Sequence, residues 1–573
     1  MPTADEIYAQ LTGPGGSFEV VVEEVAGRPT EVYKERMRSL REVPAMARGR
    51  GDDQTFIVYG DRRIGFATFV DTANSVSNGL VDLGVGPGDR VAILAQNSPE
   101  WCLAFWGAVD LGAIAVGLNG WWKTDEIVYG LQDSGAKVLV ADRKRVERVV
   151  GDLDECPDLE HVLLTDCTPA DVGLEGDDRV RTFDTVTAAP TADAPTTAID
   201  EDDPAVILYT SGTTGRPKGA ISTHRNVIAN MQNTFFSSVY GALVSGTELV
   251  PTTPDGQSVS LFTSPLFHVS GCHSTLVVGF LAGLRLVMMQ GRFDPDTALR
   301  LIEDEGVTIW ATVPTMVWRV CEHPARHDYD TSTVRSVAFG GSPSADELQR
   351  MVRDTFPNVK SASNAYGLTE TSSVATLLSP DDALVRPDSV GRPMPTVRLR
   401  IADDDGNEVE PGATGEVLIT GPTIMAGYWG KPEATAEAVR DGWLHTGDIG
   451  HVDDDGYLYI TDRKKDMIIR GGENIYCVEI ENRLVQHPEI LDAAVIGVPH
   501  PELGEEVKAV VQIGDETKLT EDDIKSWVAE TLAAFKVPAY VEVRTDRLPR
   551  NASGKLLKNA LRGVGEVSFE ETM

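Results

Sequence analysis

The stretch YTSGTTGRPKGA, Tyr209 to Ala220, starts at the last residue of the apolar run PAVILY and gathers groups that grip phosphate. It offers four hydroxyls (Thr210, Ser211, Thr213, Thr214), the glycines Gly212, Gly215 and Gly219, and the ammonium of Lys218. Glycines let backbone N–H groups approach phosphate oxygens, and hydroxyls and a lysine add further donors. The common NTPase loop needs Gly-Lys followed directly by Ser or Thr. Here Pro217 precedes Lys218 and Gly219 follows it. A Gly/Ser/Thr cluster can also be a plain polar turn, but this pattern ends in a lysine and follows a buried strand.

Other stretches could serve the same chemistry. In NAYGLTETS, Asn364 to Ser372, the Glu370 carboxylate stands beside the Thr369 hydroxyl. That pair can hold a hard cation bridging phosphate oxygens, although Thr-Glu also suits a helix start. FGGSPS, residues 339–344, describes any tight turn when taken alone, and His268 in SPLFHVSG sits on an apolar run that would suit a packed core histidine. In GWLHTGDIG, Asp448 can accept two hydrogen bonds. Lys555, in LPRNASGKLLK, is a cation on a glycine-containing loop, useful where negative charge accumulates.

The whole-chain totals narrow the function. The net charge is −37, from 88 acidic and 51 basic residues among 573. Such an excess keeps a protein soluble and repels polyanions, which argues against a nucleic-acid binder. A polyphosphate ligand would need a locally positive pocket or a bridging metal. The six cysteines are scattered without a C-x-x-C pair, a usage expected of a reducing, cytoplasmic setting with no zinc site. The first residues, MPTADEIYAQL, carry early acids and no apolar core of a signal peptide. The most apolar window, STLVVGFLAGLRLVMM, is broken by Arg285 and too short to span a bilayer.

Strand-like and helical runs alternate from about residue 86 to 380. RVAILA precedes a helix with Ser98 as N-cap and Pro99 in the first turn. Asp294–Pro295 opens the next such helix, ahead of VTIWATV, and Ser344 with Glu347 forms a capping box ahead of LQRMVRDTF. This alternation predicts parallel sheets covered by helices. The Ala/Pro/Thr-rich segment 189–204 reads as a surface crossing. From Gly391 to Ile460, short alternating runs with DDDG turns predict a β-rich, barrel-like subdomain. After DRKKDM, about a hundred residues, including a Thr520-capped helix, predict a small α+β domain. The fold class expected is therefore α/β, with two helix-covered sheets and a barrel-like subdomain in residues 1–462 and a small α+β domain in 463–573.

These stretches, in this order, resemble the motifs of the adenylate-forming superfamily of acyl-CoA synthetases, adenylation domains and firefly luciferase. Seven matches run from residue 209 to 558, and the resemblance covers essentially the whole chain. It implies that Thr210, Ser211, Gly212, Thr213, Thr214 and Lys218 bind the ATP phosphates. It implies that Gly341, Ser342 and Pro343 border the adenine, within a nucleotide pocket that includes Asn364, Ala365 and Gly367. Ala365 stands where many relatives have glycine. Tyr366 would stack on adenine, Thr369 bind phosphate, and Glu370, with Thr210, hold Mg²⁺. Asp448 would take the ribose hydroxyls, and Arg463 the ribose and phosphate. The resemblance makes Lys465 the hinge about which the small domain swings, and Gly471, Gly472, Glu473 and Asn474 the loop at the thiol tunnel. Lys555 would bridge the acid's carboxylate and the α-phosphate, and His268 would lie near the reacting carboxyl.

The expected activity is an acid–CoA ligase that uses ATP, Mg²⁺ and coenzyme A, with a fatty or related hydrophobic acid, aromatic and polycyclic ones included, as substrate. RGGENIYCVEIE is nearer to fatty-acyl synthetases than to luciferases or coumarate ligases. An alternative is an adenylating enzyme that loads a carrier protein or stops at the acyl adenylate; no carrier or reductase domain follows, which disfavours an assembly line. A non-catalytic nucleotide-binding relative is disfavoured by Thr369, Glu370, Asp448, Arg463 and Lys555 all being present. Expected partners are the acid, ATP and CoA, without nucleic acid or a transmembrane segment, and a homodimer is compatible with the sequence.

Overall fold

Strands buried on both faces dictate the architecture. In Arg90–Leu94, Val91 and Ile93 enter one core cluster while Ala92 and Leu94 enter another. Such a strand must be covered on both sides, as parallel sheets are. The structure is a computed structural model that describes residues 2–188, 190–210, 216–246, 256–340, 346–403, 405–470, 473–550 and 556–563.

Two large sheets form the bulk of the chain. One runs in the order Gly427–Tyr428, Lys218–Thr223, Pro204–Thr210, Ile114–Gly117, Arg90–Leu94, Val138–Ala141, His161–Leu164, Val180–Thr182. From Pro204–Thr210 onward its neighbours pair in parallel. The other has nine strands, with Ser363–Leu368, Ser336–Gly340, Ile309–Thr312, Val259–Phe262, Arg285–Met288 and Thr55–Tyr59 parallel in its middle. Between the sheets lie helices Phe66–Asp82 and Pro99–Leu111, whose core takes Ile57 and Leu286 from one sheet and Val91 and Leu208 from the other. Pro99–Leu111 is apolar on nearly every side, including Trp101, Phe105 and Trp106, as a helix with no solvent face must be.

The caps behave as read. Ser98 Oγ accepts from Trp101 N at 3.2 Å, Asp294 from Thr297 N at 2.8 Å, and Thr520 from Asp523 N at 3.2 Å. The Thr520 helix is shorter than its run, spanning Glu521–Ala529 before a turn at Ala534–Lys536 that leads to Pro538. The Ser344–Glu347 capping box lies outside the described residues. The crossing after residue 190 runs along helix Phe66–Asp82, where the Asn74 and Asn78 amides donate to Ala192 O and Asp193 O at 3.0 and 2.8 Å. Among the described residues no helix is long and apolar enough to cross a membrane. All six cysteines are free thiols.

The barrel-like region is a five-stranded antiparallel sheet in open order, Arg398–Ala402, Gly415–Thr420, Trp443–Val452 and Val439–Arg440, with Leu458–Arg463 also on Trp443–Val452. The C-terminal part has its own five-stranded sheet, built on Ile490–His500 and Gly504–Ile513, with helices Cys477–Val485 and Glu521–Ala529 closing a separate core. The chain is thus a large N-terminal domain and a smaller C-terminal one.

Candidate active site

The phosphate stretch links two neighbouring strands. Pro204–Thr210 ends in register with Lys218–Thr223, with Thr210 opposite Lys218 and Tyr209 opposite Gly219. Gly219 is required by close packing, because a Cβ there would stand 2.7 Å from Ile207 Cγ2. Ser211, Gly212, Thr213 and Thr214 lie outside the described residues. Thr210 Oγ1 donates to Lys218 O at 3.4 Å, which leaves its lone pairs free. Lys218 Nζ sits 4.9 Å from the centre of the Tyr428 ring, and the Tyr428 hydroxyl donates to Glu370 Oε1 at 2.7 Å. One tyrosine therefore joins the lysine of the first motif to the carboxylate of the second. Burial, with Glu370 alongside, drives its hydroxyl pKa upward, so it remains a donor.

Glu370 stands on a tight corner. Strand Ser363–Leu368 turns through Thr369–Thr371 and returns as Ser373–Leu378. Gly367 must lack a side chain, since a Cβ would lie 1.7 Å from Ser373 O. Ala365 stands beside Gly340 on the neighbouring strand, where glycine is needed because a Cβ at 340 would come within 2.7 Å of Ala365 O. Asn364 is buried, and its amide reaches Ser389 O at 3.5 Å. Ser372 and Ser373 adopt φ of 52° and 112°, costly for non-glycine residues. They are held by neighbours. The Ser222 and Ser372 hydroxyls are 3.1 Å apart, and those of Ser274 and Ser373 are 2.5 Å apart. His273 Nδ1 donates to Ser372 O at 3.1 Å.

A third group gathers beside these two. The Tyr366 hydroxyl donates to Asp448 Oδ2 at 2.7 Å, and Arg463 Nε pairs with Asp448 Oδ1 at 2.6 Å. Strand pairing sets Asp448 opposite Arg463, so the ion pair follows from register. Asp448 is 2% exposed, a position in which an unpaired carboxylate would be costly.

On the acid side, Phe267 and His268 contact each other with ring centres 4.6 Å apart, and Trp121 lies 5.1 Å from Phe267. His268 is half-buried, and desolvation pushes its imidazole down to about 4. The helix that follows opens into a π-turn over Ser270–Val277, a geometry frequent at functional sites. It is His273, rather than His268, that ties this helix to the corner after Glu370. Burial holds its imidazole down to about 4 as well.

Arg463 leads into the junction between the domains. Lys464 N donates to Gly447 O at 2.8 Å, and burial lowers the Lys465 ammonium below its ordinary value. Asp462 is buried, and its carboxylate accepts from Arg463 N at 2.7 Å and from Cys477 N at the start of a C-terminal helix. Burial raises this carboxyl to about 6. The last helix, Lys558–Leu561, is seated here by Lys558–Glu481 at 2.9 Å and Arg562–Asp466 at 3.3 Å. Lys555, Gly341, Ser342, Pro343, Gly471 and Gly472 lie outside the described residues. Glu473 and Asn474 belong to strand Glu473–Ile475, which pairs with Ile468–Arg470.

The structure thus brings together Lys218, Glu370, Tyr366, Asp448 and Arg463. It adds Tyr428 and His273, for which neither stretch carries a motif. Among the described residues no three His, Cys, Asp or Glu gather to hold a metal. A metal at Glu370 would take one carboxylate here and complete its shell with phosphate and water oxygens, as Mg²⁺ does.

Known proteins carry the same frame. The chain matches the AMP-binding enzyme family over residues 44–429 and the AMP-binding enzyme C-terminal domain over residues 479–555. It is 36% identical to a feruloyl-CoA synthase of Amycolatopsis sp over 509 residues, 89% of this chain and 95% of that one. It is 35% identical to the long-chain-fatty-acid–CoA ligase FadD13 of Mycobacterium tuberculosis over 504 residues, 88% and 93% of the two chains. Among solved structures, ATP-bound MatB from Rhodopseudomonas palustris superimposes with a TM-score of 0.79 at 29% identity, covering 92% of this chain and 99% of that one.

Proposed function

The chain belongs to the AMP-binding enzyme family, and on that premise we propose how its residues divide the reaction and which acids it takes. It is an AMP-forming acid–thiol ligase that uses ATP. A carboxylate is a poor electrophile, because its charge repels nucleophiles and oxide does not leave. Attack of the carboxylate on the α-phosphorus of ATP breaks the bond to pyrophosphate and forms an acyl adenylate. Attack of a thiol on the acyl carbon then expels AMP. In our reading the thiol is that of coenzyme A.

Two anions must meet in the first step. We assign the ATP phosphates to Lys218 and the Thr210–Thr214 hydroxyls, with Thr369 alongside. Mg²⁺ held by Glu370 and Thr210 would neutralise phosphate charge and polarise the phosphoryl oxygens. Tyr366 stacks on the adenine, bordered by Gly341, Ser342 and Pro343 and by Asn364, Ala365 and Gly367. Asp448 and Arg463 take the ribose, and Lys555 bridges the carboxylate and the α-phosphate. His268 is neutral at neutral pH and so meets the acid as a hydrogen-bonding group rather than a charge. The observation that carries this assignment is the pair of chains Lys218–Tyr428–Glu370 and Tyr366–Asp448–Arg463, which meet on residues 366–370.

We divide the chain at 462/463 into the large domain and a small domain that swings about Lys465 between the two steps. Its rotation withdraws Lys555 and brings Gly471, Gly472, Glu473 and Asn474 to the thiol. In support, Arg463 still pairs with Asp448, while the next three residues form a turn before Ile468 opens the last sheet. The acid is a fatty or related hydrophobic one. The apolar surroundings of His268 support that class, and the two curated relatives named above bracket it with an aromatic and a long-chain acid.

The test is incubation with ATP, Mg²⁺, CoA and a panel of fatty, aromatic and polycyclic acids, following AMP and thioester mass. Thioester from a hydrophobic acid is expected. Adenylate without thioester would favour transfer to a carrier protein, and turnover of small polar acids alone would overturn the substrate class.

A further inference from the structure

The phosphate loop leaves its sheet at Tyr209 and returns at Lys218, and both ends are tied to one carboxylate that the reaction does not use. Asp133 is the second-last residue of helix Thr124–Ser134, and its side chain is 9% exposed. At the outgoing end, the Tyr209 hydroxyl lies 3.0 Å from Asp133 Oδ2. Alternation along Pro204–Thr210 dictates this, since Ile207 and Tyr209 face the core cluster that contains that helix. At the returning end, the Tyr129 hydroxyl lies 3.1 Å from Asp133 Oδ1 and 3.0 Å from Pro217 O. The Arg216 guanidinium covers the Tyr129 ring at 4.9 Å. Lys431 ion-pairs with Asp133 Oδ1, and two residues before it Trp429 N donates to Gly219 O at 2.8 Å. Three segments far apart in sequence therefore meet on one side chain.

A negative charge behind a triphosphate site works against the substrate by Coulomb's law. Lys431 offsets that charge, so what Asp133 contributes is geometry. Residues already fixed before a ligand arrives lose less freedom on binding, and Tyr209 and Pro217 are held in this way. We propose that Asp133 is a positioning residue for ATP: it holds the two ends of the phosphate loop at a fixed spacing and, through Lys431, locks them to the segment that carries Tyr428. This rests on the assignment of the loop to the ATP phosphates.

The experiment uses the full chain and a non-hydrolysable ATP analogue, with binding followed by calorimetry. Asp133→Ala is expected to weaken binding at least about tenfold. Pyrophosphate release should slow, while thioester formation from supplied acyl adenylate stays within about twofold. Lys431→Met should weaken binding too, and the double variant should lose less than the sum of the two. Lys218→Ala tests the loop's contact with the phosphates directly. If it loses binding and Asp133→Ala does not, the positioning role is overturned and the loop assignment stands. If Lys218→Ala binds normally, the loop assignment itself falls. Equal losses in both half-reactions would show a merely structural Asp133 and also overturn the proposal. Should Asp133→Ala fail to fold, Tyr129→Phe removes only the hydroxyl between Asp133 and Pro217. A roughly threefold weaker binding is expected there, and unchanged binding would count against the role.

Discussion

Two buried carboxylates, Asp133 and Asp462, sit at two corners of this molecule and are treated differently. Asp133 lies within reach of a hydroxyl from its own helix, a hydroxyl from the central strand and an ammonium from beyond the phosphate hairpin. Its partners are two tyrosine hydroxyls and one ammonium, and Tyr209 stands on a strand of the large parallel sheet. Asp462 accepts two backbone N–H groups, one from the next residue and one from Cys477 across the junction, and burial raises its carboxyl to about 6. The first corner is tied from several sides. At the second, Asp462 accepts from Cys477 N, and Lys464 N and Arg463 reach back to Gly447 O and Asp448. In the proposed division of labour the first corner borders the ATP phosphates, and the junction is where the dihedral change is expected.

The comparison breaks first if the small domain matters to neither step. Lys555→Ala is expected to slow adenylate formation by about a hundredfold or more while sparing thioester formation from supplied acyl adenylate. Wild-type adenylate formation in that variant would remove the lysine from the reaction. Lys465→Pro stiffens the turn at the second corner, and about a tenfold greater loss is expected in the thiol step than in pyrophosphate release. Equal losses would mean that the two steps share one arrangement. Tyr428→Phe deletes the donor to Glu370 but keeps the ring over Lys218. The Mg²⁺ concentration for half-maximal pyrophosphate release should rise about threefold to tenfold, and an unchanged value would show the hydroxyl to be idle.

The smallest effect concerns pH. A buried carboxyl raised from 3.8 to about 6 contributes stability that is present below 3.8 and lost as pH rises through 6, which applies to Asp462 and Asp110. His224, His268 and His273, held down from 6.5 to about 4, act in the opposite sense: their contribution is present above 6.5 and lost as pH falls through 4. Denaturant titrations at pH 4 and pH 7 should show a loss with rising pH that is about 2 kcal/mol smaller in Asp462→Asn than in the parent. The same difference in both proteins would mean that Asp462 is not buried in solution.

Much of this frame was legible because its signals are local. Ser98, Asp294 and Thr520 cap the helices they precede, and strand–helix alternation led to the parallel sheets. The loop hydroxyls, Glu370, Asp448 and Arg463 lie in contiguous stretches, and Lys218, Glu370, Asp448 and Arg463 do converge. Tyr428, Asp133 and His273 were missed for a common reason. Each acts through a contact that spans from 58 to 99 residues of sequence, which no local pattern encodes. The left-handed corner at Ser372 and Ser373 was hidden as well, since nothing in TETSSV carries the glycine that normally announces positive φ. Only tertiary partners hold it there.

The strand Lys218–Thr223 has a consequence beyond catalysis. It is antiparallel to the central strand on one side and is covered on the other from Gly219 to Ile221, by Gly427–Tyr428 and the residues on either side of that pair. The sheet's exposed rim is therefore sealed by residues that come some two hundred positions later. A nascent or truncated chain ending before Gly427 would present that rim with unpaired amides and carbonyls, an invitation to edge-to-edge association between copies. Soluble N-terminal fragments of the large domain are expected to be those that extend past Tyr428, a limit that limited proteolysis and expression trials can locate.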